Sequence, residues 1–509
     1  MLQSMRLFIP LALVLTLASA QFAASNAFQY SFDCSPIRHV GCSGVFPARY
    51  DHSNKMQLLT GGEESFPARI KTLLAAKRSI RIQALIFTAD ESGLFIAEIL
   101  KQKKAQGLDV RVIVDGFSNP SWATQIMYFD LKRHLIPVEG FEAVYLQWVN
   151  EVSVRDPLQP NKRFHDKMWI IDGEDLSSGS AIVGGMNIAN EYFRVTTTSE
   201  KRWTDQDLYV QGPIVRDIVE SFDRNFAYFT EIKNKLPINT NWTWSKFNKI
   251  LNERQDVISK TLQGIDAALE AKILQWKTNE DLVEQVRQNY EKSKIFELHP
   301  ISVPNARFIQ SRPRHKELYI QQAYINLINS VPKGGKVRVA NAYFAPTEEI
   351  LSALKLAAMR GAHVSIITNS LETNDLPQLA YLSRSMYLDL LKVNEEIITR
   401  GNNGKMEIIE WIGPALGEGT MHAKFATFGD HDIIIGSYNL DERSAHLNSE
   451  TVMAFESKTL AKQLNDIFDK YKLEQGRSID LTQAKKYYKP ISVKDRQNLE
   501  LSLALKSML

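Results

Sequence analysis

The stretch Val337–Asn369, VRVANAYFAPTEEILSALKLAAMRGAHVSIITN, decides the fold. Val337 to Ala345 alternates its apolar residues and is rich in types that favour strands. Glu348 to Arg360 carries apolar residues at helical spacing and is closed by Gly361, the usual residue just past a helix end. Val364 to Asn369 reads as a second strand. Strand, helix and strand at this spacing form a βαβ unit, which implies a parallel sheet covered by helices.

The same unit occurs earlier in the chain. Phe66–Lys77 has helical spacing and Ser79–Thr88 reads as a strand. Phe95–Gln106 is a helix stopped by Gly107, and Val110–Asp115 is the second strand. Gly107 and Gly361 are 254 residues apart. A repeat of that length predicts a duplicated domain.

A duplicated chain should carry its functional motif twice, and it does. Met421–Glu450, MHAKFATFGDHDIIIGSYNLDERSAHLNSE, holds His422 and Lys424, a buried-strand run Ile433–Ile435, and Gly436-Ser437-Tyr438-Asn439. Phe164–Arg194 holds His165 and Lys167, the run Ala181–Val183, and Gly184-Gly185-Met186-Asn187. The two histidines are 257 residues apart, close to the glycine offset. Residues i and i+2 of a strand share a face, so each imidazole is expected beside its ammonium group. One His-x-Lys on a strand is an ordinary solvated edge; two in register on a duplicated scaffold are not. The remaining histidines lack such a context and are expected to be structural or exposed.

With both copies in view, the chain resembles the phospholipase D superfamily, in which two His-x-Lys motifs meet in one site. Within it, GGMNIANEYF, WTDQDLYVQGPIV, TNSLETNDLP and GSYNLDERSAHLNSE resemble the bacterial cardiolipin synthase group, particularly its C-type members. The resemblance covers roughly 60–235 and 305–470 and implies an α/β fold. Two duplicated α/β/α lobes, with mostly parallel or mixed sheets, would pack face to face around one shared site. The family pattern continues from His-x-Lys through four residues to an Asp, then to Gly-Gly/Ser-x-Asn. The first copy fits throughout: His165, Lys167, Asp172, Gly184, Gly185, Asn187. In the second copy Gly429 stands where the acid is expected, and Asp430 comes one place late, with Asp432 an alternative occupant. Gly436, Ser437, Ser444 and Asn448 match the family pattern as support for the site, and Tyr438 and Arg443 border it.

Residue chemistry points the same way. A phosphodiester is anionic and resists attack, so a site must supply a nucleophile, an acid for the leaving oxygen and positive charge. An imidazole can serve as either of the first two, because its ordinary pKa of about 6.5 lies near working pH. Lys167 and Lys424 would neutralise phosphate oxygens, and the Asn187 and Asn439 amides would donate to them. No metal or other cofactor is demanded, since the lysines take a metal's place. The resemblance implies a phosphohistidine intermediate, with His165 as nucleophile and His422 as general acid and base. Each imidazole needs an acid on its other nitrogen to fix the tautomer. Aligning SETVMAF with DQDLYVQG nominates Glu450 and Asp207, with Glu450 expected on His422.

Composition bounds the alternatives. The 509 residues carry 61 basic and 58 acidic side chains, a balance that argues against a dedicated nucleic-acid binder. The expected partners are a phospholipid at a membrane surface and an acceptor that is either an alcohol, such as glycerol or phosphatidylglycerol, or water. Both motifs on one chain are compatible with a monomer. Arg6, the apolar run Leu7–Leu17 and Ala18-Ser19-Ala20 form the three-part pattern of a secretory signal. Export to the periplasm or medium with membrane association is the expectation, an uncleaved N-terminal anchor the alternative. Cys34 and Cys42 either staple the N-terminal arm or remain free thiols. The expected organisation is a signal segment 1–20, an arm 21–55, a lobe 56–235, a helical linker 236–304, a second lobe 305–475 and a tail 476–509. The tail is mildly amphipathic and reads as a surface helix that could touch a membrane.

Overall fold

Two mixed sheets built on the same plan form the molecule, a computed structural model. It describes residues 49–50, 54–116, 118–119, 121–140, 163–175, 177–193, 202–234, 280–313, 317–413 and 419–508. The signal segment, Cys34, Cys42, most of the arm and much of the linker lie outside the described residues.

The first sheet has eight strands, in the order Ile301–Ser302, Lys55–Thr60, Gln206–Gln211, Ser180–Gly184, Met168–Ile171, Ser79–Ala84, Asp109–Val114, Val138–Glu139. The second has nine, in the order Arg49–Tyr50, Asn305–Ser311, Glu450–Glu456, Asp432–Gly436, Lys424–Phe428, Lys336–Asn341, His363–Asn369, Lys405–Trp411, Gly476–Ile479. Among the described residues the eight strands of the first sheet correspond in order to the first eight of the second, and Gly476–Ile479 is an added edge. The βαβ strands read from sequence pair in parallel in both, Ser79–Ala84 with Asp109–Val114 and Lys336–Asn341 with His363–Asn369. The strand Met168–Ile171, directly after Lys167, and the strand Lys424–Phe428, which begins at its lysine, form antiparallel hairpins with the apolar runs after them. The lobes also exchange edges. Arg49–Tyr50, ahead of the first lobe, pairs in the second sheet, and Ile301–Ser302, ahead of the second lobe, pairs in the first.

Alternation along these strands separates three cores. In the first sheet Trp169 and Ile171 face an outer core under the helices Gly62–Ala75 and Glu91–Ala105, whereas Met168 and Ile170 face inward. In the second, Ala426, Phe428 and Ile434 face outward, and Phe425, Ile433 and Ile435 face inward. The inward residues of both sheets belong to one shared core, with side chains of the helices Val215–Asn234 and Lys458–Gln475. Each sheet is thus apolar on both faces, which explains runs such as Ile433–Ile435 that show no polar interruption. The linker contributes the helix Glu280–Ile295, which packs on Gly62–Ala75. Beyond Gly476–Ile479, the short helices Leu481–Tyr488 and Val493–Ala504 lie against the long helix Pro377–Thr399.

Candidate active site

The two His-x-Lys motifs sit where the lobes meet, and main-chain bonds across that boundary place them. Arg163–His165 runs beside Ser449: the His165 N–H donates to the Ser449 carbonyl (2.9 Å), and the Ser449 N–H donates to the Arg163 carbonyl (2.7 Å). The second motif repeats the arrangement. Thr420–Met421 pairs in parallel with Trp203–Thr204, and the His422 N–H donates to the Thr204 carbonyl (2.7 Å). Each histidine is therefore docked on the residue that precedes an acid of the other lobe.

Those acids complete the imidazoles. His165 Nδ1 lies 2.9 Å from both carboxylate oxygens of Glu450, and His422 Nδ1 lies 2.7 Å from Asp205 Oδ2. This corrects the pairing expected from sequence: Glu450 serves His165, not His422, and Asp205 stands where Asp207 was expected. The cause is a register slip of two. Gly184 faces Asp207 across its sheet, whereas the matching Gly436 faces Val452, so Asp205 and Glu450 are the equivalent residues. A slip of two leaves every side chain on its own face, so alternation alone could not reveal it.

Asp207 has a different task. Fully buried, it accepts from Ser65 Oγ (2.6 Å) and from Arg69 Nη2 (2.7 Å), and the Met186 N–H reaches it at 3.4 Å. The Arg69 guanidinium lies over the rings of Trp169 and Phe193. Asp207 thus props the Gly184–Asn187 turn from behind. Glycine is required there, since a Cβ on Gly184 would fall 2.1 Å from Asp207 Oδ1 and one on Gly185 2.4 Å from Asp205 Oδ2.

Ser437, Ser444 and Asn448 converge on Glu450. Ser437 Oγ donates to Oε2 (2.5 Å), Ser444 Oγ to Oε1 (2.9 Å), and Asn448 Nδ2 to Oε1 (3.3 Å). Asp205 accepts from the main-chain N–H of Gln206 (2.8 Å), with His422 its other close partner. Tyr192 and Trp203 flank the His422 ring, with centroids 5.2 and 4.9 Å away. Sequence reading missed Trp203, Tyr192 and Asp205. For Asp205, matching Gln211 to Glu456 at the strand ends would have aligned it with Glu450.

Lys167 Nζ donates to the His165 carbonyl (2.7 Å), and Lys424 does the same to His422. Asn187 accepts from the Ile86 N–H and donates to the Tyr192 hydroxyl (2.9 Å). Asn439 is buried, and its Oδ1 has no hydrogen-bond partner among the described residues. Tyr438 stacks on Tyr324 in the outer core, away from the role of a bordering substrate contact. Arg443 is half-buried and adds positive potential at His165.

The four motif side chains and the two acids share one dry cluster. Burial, then the lysines Lys167 and Lys424, pushes both imidazoles well below their ordinary range. Burial brings Lys167 down to about 7 and Lys424 down to about 8, against the pull of Glu450 and Asp205. Burial also raises Glu450 to about 7 and Asp205 to about 8.

The motif acid differs between lobes. Asp172, at φ 50°, accepts the main-chain N–H groups of Lys77, Arg78 and Ser79. In the second lobe Gly429, at φ 69°, occupies that turn and keeps the equivalent main-chain bond, Gly429 N–H to the Lys336 carbonyl. Asp430 is exposed and bonded to His431, and Asp432 opens a strand opposite Glu456. Neither takes the place of Asp172.

A pair of buried imidazoles, each backed by a carboxylate and accompanied by a lysine, is the arrangement of a phosphodiester-handling centre. The chain belongs to the family described as cardiolipin synthase, phospholipase D-like domain, whose model matches residues 70–227 and 324–472. It is 26% identical to a cardiolipin synthase of Halalkalibacterium halodurans over 85% of this chain and 68% of that protein. It is 24% identical to an uncharacterized protein of Helicobacter pylori over 80% of this chain and 77% of that one. The fold is that of the crystal structure of phosphatidylserine synthase from Haemophilus influenzae, with a TM-score of 0.57 at 16% identity over 91% and 97% of the two chains.

Proposed function

We infer that this chain transfers phosphatidyl groups between alcohols through a phosphohistidine. The observation that carries the reading is the crossed pair of carboxylate-backed imidazoles, Glu450 on His165 and Asp205 on His422. With Nδ1 engaged by a carboxylate, each ring keeps Nε2 for substrate.

The surroundings of the two acids support distinct roles. Glu450 already receives three side-chain donors besides His165, so less of its charge is left to stabilise an imidazolium. His165 then stays neutral and nucleophilic. Asp205 has fewer donors, so it favours protonation of His422. With Lys167 and Lys424 cationic and both acids anionic, the cluster is balanced. A bound phosphodiester adds one negative charge, which an imidazolium at His422 offsets.

His165 Nε2 attacks phosphorus, the bond to the leaving oxygen breaks, and His422 gives that oxygen its Nε2 proton. The acceptor alcohol then enters, His422 takes its hydroxyl proton, and the acceptor oxygen displaces His165 from phosphorus. Lys167, Lys424, the second amide hydrogen of Asn187 and the amide of Asn439 are assigned to the negative phosphoryl oxygens. His165 and His422 are only 7% and 3% exposed, which limits access of bulk water to the intermediate. The substrate is a phospholipid at a membrane surface. The N-terminal pattern supports export, with the protein acting at the outer face of a membrane.

The test is incubation with defined phospholipids, with and without glycerol or phosphatidylglycerol, followed by mass spectrometry of the products. Diphosphatidylglycerol or a glycerol-exchanged lipid is expected. Phosphatidic acid alone would replace transfer by hydrolysis, and no lipid turnover beside cleavage of DNA would overturn the reading.

A further inference from the structure

The C-terminal segment takes no part in the cluster just described, yet it carries a surface that needs a partner. Its two short helices are joined by Lys489–Ser492, and the tip of that hairpin is apolar and open: Tyr488 is 50%, Ile491 90% and Val493 64% exposed. Isolated exposed apolar residues need no explanation, but three within six residues on one turn form a patch. Lys485, Lys486, Lys489 and Lys494 are interleaved with it in the chain, all exposed. From Lys485 to Lys494, KKYYKPISVK, there is no acid. The next residue, Asp495, is turned inward to the Tyr381 hydroxyl (2.7 Å).

The tip is tied to the catalytic cluster at both ends of its second helix. Near the start, Asp495 and Asn498 hold Tyr381 on the helix Pro377–Thr399. Leu379 and Leu382 of that helix pack with Tyr343, whose hydroxyl donates to Asp375, an acid that acts on Lys424. Past the end, the Met508 carbonyl accepts from Arg443 Nη1 (3.0 Å), and Lys506 lies 3.5 Å from Glu442. Twelve residues of helix span about 18 Å, so the tip and the turn that holds the Arg443 contact lie at opposite ends of one helix of that length.

We propose that Lys485–Lys494 docks the enzyme on an anionic phospholipid bilayer. Ile491, Val493 and Tyr488 enter the boundary between headgroups and acyl chains, and the four lysines lie on lipid phosphates. An apolar tip with four exposed lysines in its own ten residues, and no acid among them, complements a negative lipid surface. The proposal rests on the phosphatidyl-transfer reading for its purpose, since it brings bilayer lipid to the site.

The full chain is mixed with phosphatidylcholine vesicles, or with vesicles of equimolar phosphatidylcholine and phosphatidylglycerol. Partition is read by sedimentation, and amide exchange is followed across 485–494. Binding of the mixed vesicles alone is expected, weakening with salt and slowing exchange at the tip. The variants K485E/K486E/K489E/K494E and I491E/V493E should each lower partition and vesicle-lipid turnover at least about tenfold, while turnover of a monomeric short-chain lipid is unchanged. Equal binding of both vesicle types, unchanged exchange at the tip, or variants that partition like the parent would overturn the proposal. So would a shift in oligomeric state on mutation, which would make the tip a contact between copies. A parent chain that binds anionic vesicles through the tip yet turns over no lipid would leave docking standing and remove phosphatidyl transfer.

Discussion

Glu450 and Asp205 occupy equivalent positions in two sheets of the same plan, yet one sits among hydroxyl and amide donors and the other nearly alone. Ser437, Ser444 and Asn448 surround Glu450, whereas the first lobe has Gly185 where Ser437 stands, and a main-chain N–H is the close donor to Asp205 besides His422. Duplication supplied two copies of one acid–imidazole pair, and divergence of small residues around them gave the copies different electrostatics. The comparison is sharpest for substitutions that remove charge and keep shape. In Glu450→Gln the amide N–H can face His165 Nδ1 and impose the wrong tautomer, leaving Nε2 protonated and unable to attack. A fall in kcat of about three to four orders of magnitude is expected. In Asp205→Asn the same flip leaves His422 Nε2 protonated, so it can still donate, though weakly, and the loss should be nearer two orders. Equal losses, measured by single-turnover kinetics, would remove the division of roles.

Why Glu450 was expected on the wrong histidine and Asp205 was missed follows from what each residue touches. His165, Lys167, His422, Lys424 and both Gly-x-x-Asn turns lie on local strand patterns that repeat in the chain, and the βαβ units show themselves by periods of two and 3.6. Contacts between Glu450 and His165, or Asp205 and His422, span the boundary between lobes and leave no local pattern. Trp203 and Tyr192 carry no periodic signal either, because they pack against His422 from the other half of the chain.

Asp207 and Val452 give the second contrast, a buried ion pair in one lobe at a position that is apolar in the other. Asp207→Ala strands the Arg69 guanidinium in the interior, at a cost of about 3–5 kcal/mol in unfolding free energy. The double variant Arg69→Met with Asp207→Val, which places the second lobe's apolar residue at 207 and removes the stranded cation, should recover most of it. Chemical denaturation of the single and double variants checks this, and a single variant as stable as the parent would show that the pair contributes nothing.

The two lysines differ less. A lysine is cationic below its pKa, so lowering Lys167 to about 7 and Lys424 to about 8 moves their loss of charge into the neutral to mildly alkaline range. kcat/KM, which reports the free enzyme, should therefore decline as pH rises through this range, by about tenfold per unit once Lys167 discharges and about a hundredfold per unit once Lys424 has followed. Replacing Lys424 by Arg, which does not discharge, should flatten the limb of the profile that belongs to it while lowering activity throughout. An unaltered limb would assign it to another group.

The smallest effect separates the two motif acids. Asp172→Ala leaves three main-chain N–H groups, that of Ser79 buried and those of Lys77 and Arg78 partly so, without their acceptor and should cost about 1–3 kcal/mol. Asp430→Ala removes an exposed carboxylate that meets only His431 and Lys458 among the described residues, and the melting temperature should not change. Nor should the second lobe gain from Gly429→Asp. The N–H groups of Gly334 and Gly335, which precede Lys336 as Lys77 and Arg78 precede Ser79, already donate to the Gly361 and Pro332 carbonyls. An acid at 429 would meet donors that are taken, in a left-handed turn that disfavours a side chain. A thermal melt of Gly429→Asp is expected to be slightly lower than the parent's, and a rise would mean that the glycine turn is an imperfect substitute for Asp172.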